Sequence, residues 1–255
     1  MLFTNLVQAN LKTRILGQQI EYYTRLESTN SEAWEIIDEG AQSGALVVTD
    51  NQFSGKGRAD RKWSAAPDKS LTFSLLLFPD LDASLSGWFP IISGLSVQKA
   101  LLNFDTDVRL KWPNDLILDG KKVGGILCES KVKGNKLKQV VIGIGLNVNE
   151  TMDDFDGSLQ STATSLHMSS DKFYQRERVL AEILNALEPL FDGLPGNIET
   201  IQSHWEAACG HLNETVHFHH GNEIVNGIFK SLGEAGSAVL EIDGQENRFY
   251  SGEIS

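Results

Sequence analysis

Cysteine is scarce. Only Cys128 and Cys209 occur in 255 residues, too few for a disulfide framework and in no C-x-x-C or other metal-ligand spacing, so both read as packing residues. Long apolar runs are missing as well. The first apolar stretch is interrupted by Gln8, Asn10 and Lys12, which leaves neither a secretory leader nor a membrane span legible and makes the cytoplasm the expected location. Positive charge is in deficit: 22 Lys and Arg against 34 Asp and Glu give a net charge of −12, which argues against a general binder of nucleic acid. The hydrolase signatures G-x-S-x-G and H-E-x-x-H do not occur. Only six prolines interrupt a chain that is 41% hydrophobic, enough apolar content for one full core or for a large domain with a small one.

The charge is unevenly placed. Residues 55–138 hold 14 of the 22 Lys and Arg but 9 of the 34 Asp and Glu, so this third is net +5 and the remainder −17. A local basic site in an acidic protein suits a small polyanion such as a nucleotide.

Periodicity predicts the elements. Residues 19–26 read as a strand, and Ser28, Thr29 and Asn30 open a helix whose Ala33, Ile36 and Ile37 share a face before Gly40. Strands over 45–49 and 71–78 flank a polar loop at 51–66, long for a plain connector. Residues 85–102 carry apolar side chains at helical spacing, with Pro90 near the start. Further strands are expected at 108–112 and 116–118, a hairpin at 123–131 with 137–148, and helices at 171–191 and 198–208. After His211, short strands divided by Gly221, Gly233, Gly236 and Gly244 suggest a small β-barrel. The expected fold is α+β: a mixed sheet with packed helices over residues 1–210, then an SH3-like barrel over 211–255.

The loop from Gln52 to Trp63 sets Lys56, Arg58, Arg61 and Lys62 around Gly55 and Gly57. Glycines let backbone amides approach phosphate oxygens, arginines supply bidentate donors, and Trp63 offers a face for a purine or a cation. A merely solvated basic loop has the same composition, so context decides. Three later segments supply it: Lys111-Trp112-Pro113-Asn114-Asp115, then Lys121-Lys122-Val123-Gly124-Gly125-Ile126-Leu127, then Gly143-Ile144-Gly145-Leu146-Asn147-Val148-Asn149. In this order and spacing the four segments resemble the biotin protein ligase family, whose hallmarks are G-R-G-R-x-x-R-x-W, K-W-P-N-D, K-x-x-G-I-L and G-I-G-x-N. The resemblance runs from about Glu21 to the C-terminus, and K-W-P-N-D is its most specific motif.

The resemblance implies a class II synthetase-like, biotin-lipoate ligase-like catalytic domain with a definite chemistry. Biotin and ATP, with Mg²⁺, form biotinyl-5′-AMP, and biotin then passes to a lysine on the biotinyl carrier domain of a biotin-dependent carboxylase. It places biotin against Ser28, Thr29, Asn30, Gln52, Gly55, Lys56, Gly57, Arg58, Lys122 and Gly125. It places ATP against Arg58, Arg61, Trp63, Lys111, Asn114, Asp115 and Asn147. Arg58 and Lys122 are expected to meet around the α-phosphorus, with Asp115 as Mg²⁺ ligand and candidate base. The residue types suit these roles, because a ureido ring has one acceptor and two donors and needs neutral partners of both kinds. Charge stabilisation on phosphorus requires cations in place of a protein nucleophile.

Two positions depart from the family pattern: Lys56 stands where arginine is usual, and Gly252-Glu253-Ile254-Ser255 stops short of a G-E-I-S-L-R tail. Many relatives carry an N-terminal helix-turn-helix domain. The segment before Ser28 is too short for one, so ligation without operator binding is expected, by a monomer or a homodimer. The rival readings are a lipoate ligase or octanoyltransferase and a non-catalytic biotin or adenylate sensor. A metal site among Cys209, His211, His217, His219 and His220 matches no zinc spacing.

Overall fold

The computed structural model describes residues 1–59, 61–221 and 223–255. Helix α1 (Thr4–Asn10) leads into strand β1 (Ile20–Tyr23), helix α2 (Thr29–Asp38) and strand β2 (Leu46–Thr49), with β1 and β2 parallel and α2 as their crossover. A short ribbon, β3 (Gly55–Lys56) with β4 (Lys62–Trp63), stands within the long polar loop. Strands β5 (Leu71–Leu77) and β6 (Leu81–Asp82) precede helix α3 (Trp88–Leu102). Strands β7 (Arg109–Lys111), β8 (Asp115–Leu118), β9 (Lys121–Lys133) and β10 (Lys136–Leu146) follow as an antiparallel meander. Helices α4 (Leu166–Ser170), α5 (Arg176–Asp192) and α6 (Ile198–Ala208) come next. Strands β11 (Thr215–His220), β12 (Glu223–Leu232), β13 (Ala238–Ile242), β14 (Gln245–Phe249) and β15 (Glu253–Ile254) make a separate antiparallel sheet.

The large sheet runs β1-β2-β5-β10-β9-β8-β7, with β6 beside β10, a mixed sheet of the expected α+β kind. Its alternation sorts the core. Leu46, Val48, Phe73, Leu75, Leu77, Ile142 and Ile144 join the helices α3, α5 and α6 in the main core. Val47, Leu76 and Val141 face the other way and meet Ala33, Ile36 and Ile37 of α2. Helix α3 is buried nearly all round, and Pro90 lies in its first turn, where a missing N–H costs no intrahelical bond. The helix expected from residue 171 begins instead at Arg176, because Asp171 adopts a left-handed φ of 55° and ends α4. Helix α1, which offers only Val7 as a buried residue, was not legible in the periodicity.

The face carrying α2 also carries the site. Beyond Val141, β10 continues with Gly143 and Gly145, and the register sets Ser74, Gly143 and Leu127 in one row and Thr72, Gly145, Gly125 and Asp115 in the next. Side chains that would fill the sheet surface are missing there. The result is a cleft floored by glycine, walled by the N-terminus of α2 and roofed by the β3–β4 ribbon. Among the described residues, no helix is long and apolar enough to cross a membrane.

Candidate active site

At the α2 end of the cleft, Ser28, Thr29, Asn30 and Gln52 are all buried. Ser28 occupies the N-cap position, but its side chain makes no capping hydrogen bond, so capping does not account for its hydroxyl. Gln52 Oε1 accepts from the Thr29 backbone N–H at 2.8 Å, which turns its amide nitrogen toward Gly55, where an added Cβ would meet Gln52 Nε2 at 2.5 Å. Ser74, in the adjoining row of the floor, lies 2.6 Å from Asn30 Oδ1 and 2.8 Å from Thr29 Oγ1. Asn30 Nδ2 donates to Glu129 Oε2 at 2.8 Å, and Trp34 Nε1 donates to the same oxygen at 3.3 Å. Ser74 and Glu129 carry no sequence signal of their own. Only strand register reveals them.

In the middle of the cleft, Arg58, Arg61, Lys62, Asp115 and Lys122 line one cavity of about 110 Å³ above Gly125, Gly143 and Gly145. The two cations expected to share a phosphorus therefore face the same space. Lys122 Nζ pairs with Asp115 Oδ1 at 2.5 Å. Arg58 Nη1 donates to Asn114 Oδ1 at 3.3 Å and to the Gly252 carbonyl at 3.4 Å, while Asn114 Nδ2 donates to the Ile126 carbonyl at 2.7 Å. Asn114 thus connects the β7–β8 turn, the floor strand and the cationic loop. Burial pulls the Arg58 guanidinium below its ordinary value, opposed by the charge of Glu253. The loop turns back through Gly57 N–H to the Arg61 carbonyl at 2.7 Å, with Ala59 at a φ of 52°. On the outer side, Lys56, Lys62 and Glu129 border an open cleft of about 650 Å³. Gly55 is buried beneath it and Lys56 is exposed.

Past Lys122 lies a further cavity of about 200 Å³, walled by Trp63, Asn147, Phe155, Leu159 and Ala163. The Trp63 ring rests on the floor: a Cβ on Gly145 would come within 2.4 Å of it, and its buried indole N–H has no partner among the described residues. Asn147 is buried, and its Nδ2 donates to the Thr164 carbonyl at 2.9 Å. Phe155 and Leu159 were not anticipated, since they belong to an irregular segment without periodic signal. Lys111 stands outside these cavities, at the end of β7 opposite Asp115. Its charge acts on Glu253 and His211.

The smaller sheet closes over the cationic loop. Arg61 makes a bidentate pair with Glu253, at 2.6 and 2.7 Å, and this hydrogen-bonded pairing lowers the Glu253 carboxyl below its usual range. Among the described residues, no group of three or more His, Cys, Asp or Glu is placed to hold a metal ion. His217, His219 and His220 instead contact Asn226, Ser255 and the Ser251 carbonyl. His211 is buried against Trp205 and Phe229, where desolvation lowers it to about 4.

The glycine-floored cleft thus joins a neutral polar pocket, a cationic centre and a half-apolar annex. The model of the biotin/lipoate A/B protein ligase family matches residues 22–147. The bifunctional ligase/repressor BirA of Bacillus spizizenii is 32% identical over 256 residues, covering 97% of this chain and 77% of that protein. The biotin–acetyl-CoA-carboxylase ligase of Paracoccus denitrificans is 31% identical over 227 residues, covering 85% of this chain and 91% of that one. A biotin protein ligase from Aquifex aeolicus, solved in complex with biotin and ATP, superposes with a TM-score of 0.77 at 28% identity, over 93% of this chain and 98% of that chain. The chain belongs to the biotin protein ligase family and is a biotin ligase.

Proposed function

We propose that the enzyme condenses biotin with ATP to biotinyl-5′-AMP and pyrophosphate, then transfers the biotinyl group to a lysine of the biotinyl carrier domain of a biotin-dependent carboxylase. One observation carries this reading: Arg58 and Lys122 line a single cavity lying between a neutral polar pocket and the annex beside Asn147 and Trp63. The biotin ureido ring sits among Ser28, Thr29, Asn30 and Gln52, and its chain crosses the glycine floor past Gly125 toward Lys122. The adenosine occupies the annex, against Trp63 and Asn147.

In the first step the biotin carboxylate attacks the α-phosphorus and pyrophosphate leaves. Lys122 bridges the carboxylate and the α-phosphate, Arg58 takes a second phosphate oxygen, and both offset the repulsion between two anions. Arg61 exchanges Glu253 for a phosphate oxygen. Lys111, outside the cavity, adds positive potential on the same side. In the second step the deprotonated acceptor amine attacks the acyl carbon and AMP leaves, with Lys122 and Arg58 holding the departing phosphate. Asp115 orients the Lys122 ammonium and lies where it can take the amine proton.

Mg²⁺ fits this donor set only as a companion of the nucleotide. Asp115 is the one carboxylate among the described residues lining the central cavity, and Lys122 holds its Oδ1, so Asp115 would hold the metal only together with phosphate and water. Bound there, it would neutralise charge on the triphosphate.

Labelled biotin, MgATP and a purified biotinyl domain test the proposal directly. The expected result is biotin-dependent pyrophosphate exchange and labelling of the carrier lysine, with lipoate inert in the same assay. Biotin binding without exchange would point to a sensor instead.

A further inference from the structure

Resting on the proposal that a ureido ring occupies the cleft, we infer that Glu129 is a positioning residue that sets the hydrogen-bond polarity of the ring pocket, and so selects ligands presenting ring N–H groups. Glu129 lies on the cleft face of β9, opposite Val141 and one row from the glycine floor. A carboxylate can only accept. Its Oε2 stands 2.8 Å from Asn30 Nδ2 and 3.3 Å from Trp34 Nε1, so the group of Asn30 that faces it must be the NH₂. That choice fixes the other end of the amide. The Asn30 carbonyl points at Ser74 Oγ, 2.6 Å away, over Gly143, where a Cβ would stand 2.0 Å from Oδ1.

The consequence propagates along the pocket. Ser74 has one proton, and Asn30 Oδ1 requires it. The Ser74 oxygen also stands 2.8 Å from Thr29 Oγ1, and the Thr29 hydroxyl donates to Gln52 Oε1 at 3.2 Å. Every lone pair left over on Asn30, Ser74 and Thr29 is an acceptor. The donors face them from the other side, through Gln52 Nε2, whose orientation is set separately by the Thr29 backbone N–H. A ring with two N–H groups and one carbonyl matches this division, and a ring with oxygen in place of an N–H does not. Glu129 need not touch the ligand to impose the distinction. With an apolar residue there, only the longer bond to the Leu127 carbonyl, 3.4 Å from Asn30 Nδ2, holds the amide in this sense, and the amide can turn over and present donors to the ring.

The test uses Glu129→Leu and Glu129→Gln in the full chain, with biotin and its cyclic-carbamate analogues, each with one ring N–H replaced by oxygen, as probes. Calorimetric Kd values should show Glu129→Leu weakening biotin about tenfold while the analogue lacking the Asn30-facing N–H changes less than about twofold, so that discrimination collapses. Glutamine can still accept from Asn30, so Glu129→Gln should hold biotin within about threefold of the parent. The KM for ATP and the kcat with saturating biotin should stay level in both variants, which a loss of fold would not permit. Equal weakening of biotin and of both analogues, or an unchanged ratio with Glu129→Leu, overturns the inference and leaves the proposed function standing. Failure of the unaltered protein to bind biotin overturns both.

Discussion

Lys122 and Arg58 serve one cavity but are held in different ways. Lys122 is half exposed and kept in place by a single ion pair to Asp115, so it can release its partner and follow a substrate anion. Arg58 is held through one nitrogen, Nη1, by two oxygens on separate parts of the chain, Asn114 Oδ1 and the Gly252 carbonyl, and a planar guanidinium anchored there carries further N–H donors in a fixed plane that a lysine ammonium lacks. Lys122→Ala should therefore lower single-turnover formation of biotinyl-AMP by about one to two orders of magnitude. Arg58→Lys should lose about as much as Arg58→Ala, despite keeping the charge. A lysine variant with near-normal turnover would show that Arg58 acts as a point charge. These cations were legible because they lie in motifs. Ser74 was not, since nothing in Leu71–Leu77 says which side chains face the cleft until β2 and β10 fix the register.

The segment between β10 and α4 shows what an element without periodicity contributes. It supplies Phe155, Leu159 and Ala163 to the annex, and it is tied down by a small set of bonds. Glu150 is buried, accepts from the Ser70 hydroxyl through Oε1, and has no partner for Oε2 among the described residues. Its backbone carbonyl accepts from Ser165 Oγ at 2.7 Å, and Lys69 pairs with Asp154 at 2.6 Å. Burial pushes the Glu150 carboxyl up to about 7 from its usual 4.5, against the hydrogen bond from Ser70. The folded state thus retains a proton that the unfolded chain gives up. Stability from this group is complete below about pH 4.5, falls as pH rises to about 7 and is flat beyond, a loss of at most about 3 kcal/mol. Glu150→Gln keeps a partner for Ser70 but cannot ionise. Its urea midpoint should lack this part of the decline between pH 5 and 7.5, and a profile parallel to the parent's would refute the assignment. Helix α3 was legible despite burial on nearly every side, because Phe89, Ile92, Leu95 and Leu102 recur at helical spacing and Pro90 marks its start. Helix α1 was not, because one buried valine makes no pattern.

At the scale of the molecule, the glycine-divided strands after residue 211 announced a small sheet, but not where it would sit. The structure seats it on the K-W-P-N-D segment and the cationic loop together. Trp112 packs on Phe218 with ring centroids 5.5 Å apart and donates its indole N–H to the Gly236 carbonyl at 3.1 Å, while Glu253 grips Arg61. A tryptophan inside the most specific motif is therefore committed to holding the two sheets in register, a role its sequence neighbourhood does not reveal. The seam is close enough to exclude a methyl group. A Cβ on Gly87, at the start of α3, would lie 2.1 Å from the Ala235 carbonyl oxygen, a backbone atom that cannot rotate away. Gly87→Ala should cost about 1–3 kcal/mol in urea unfolding and shift the fluorescence of Trp112 as the smaller sheet is displaced. Gly157→Ala, where nothing lies within 4 Å of the added carbon, is the matched control. Coincident unfolding curves for the two variants would mean that the sheets are not locked at this contact and that the bonds of Trp112, Arg58 and Arg61 keep the smaller one in place.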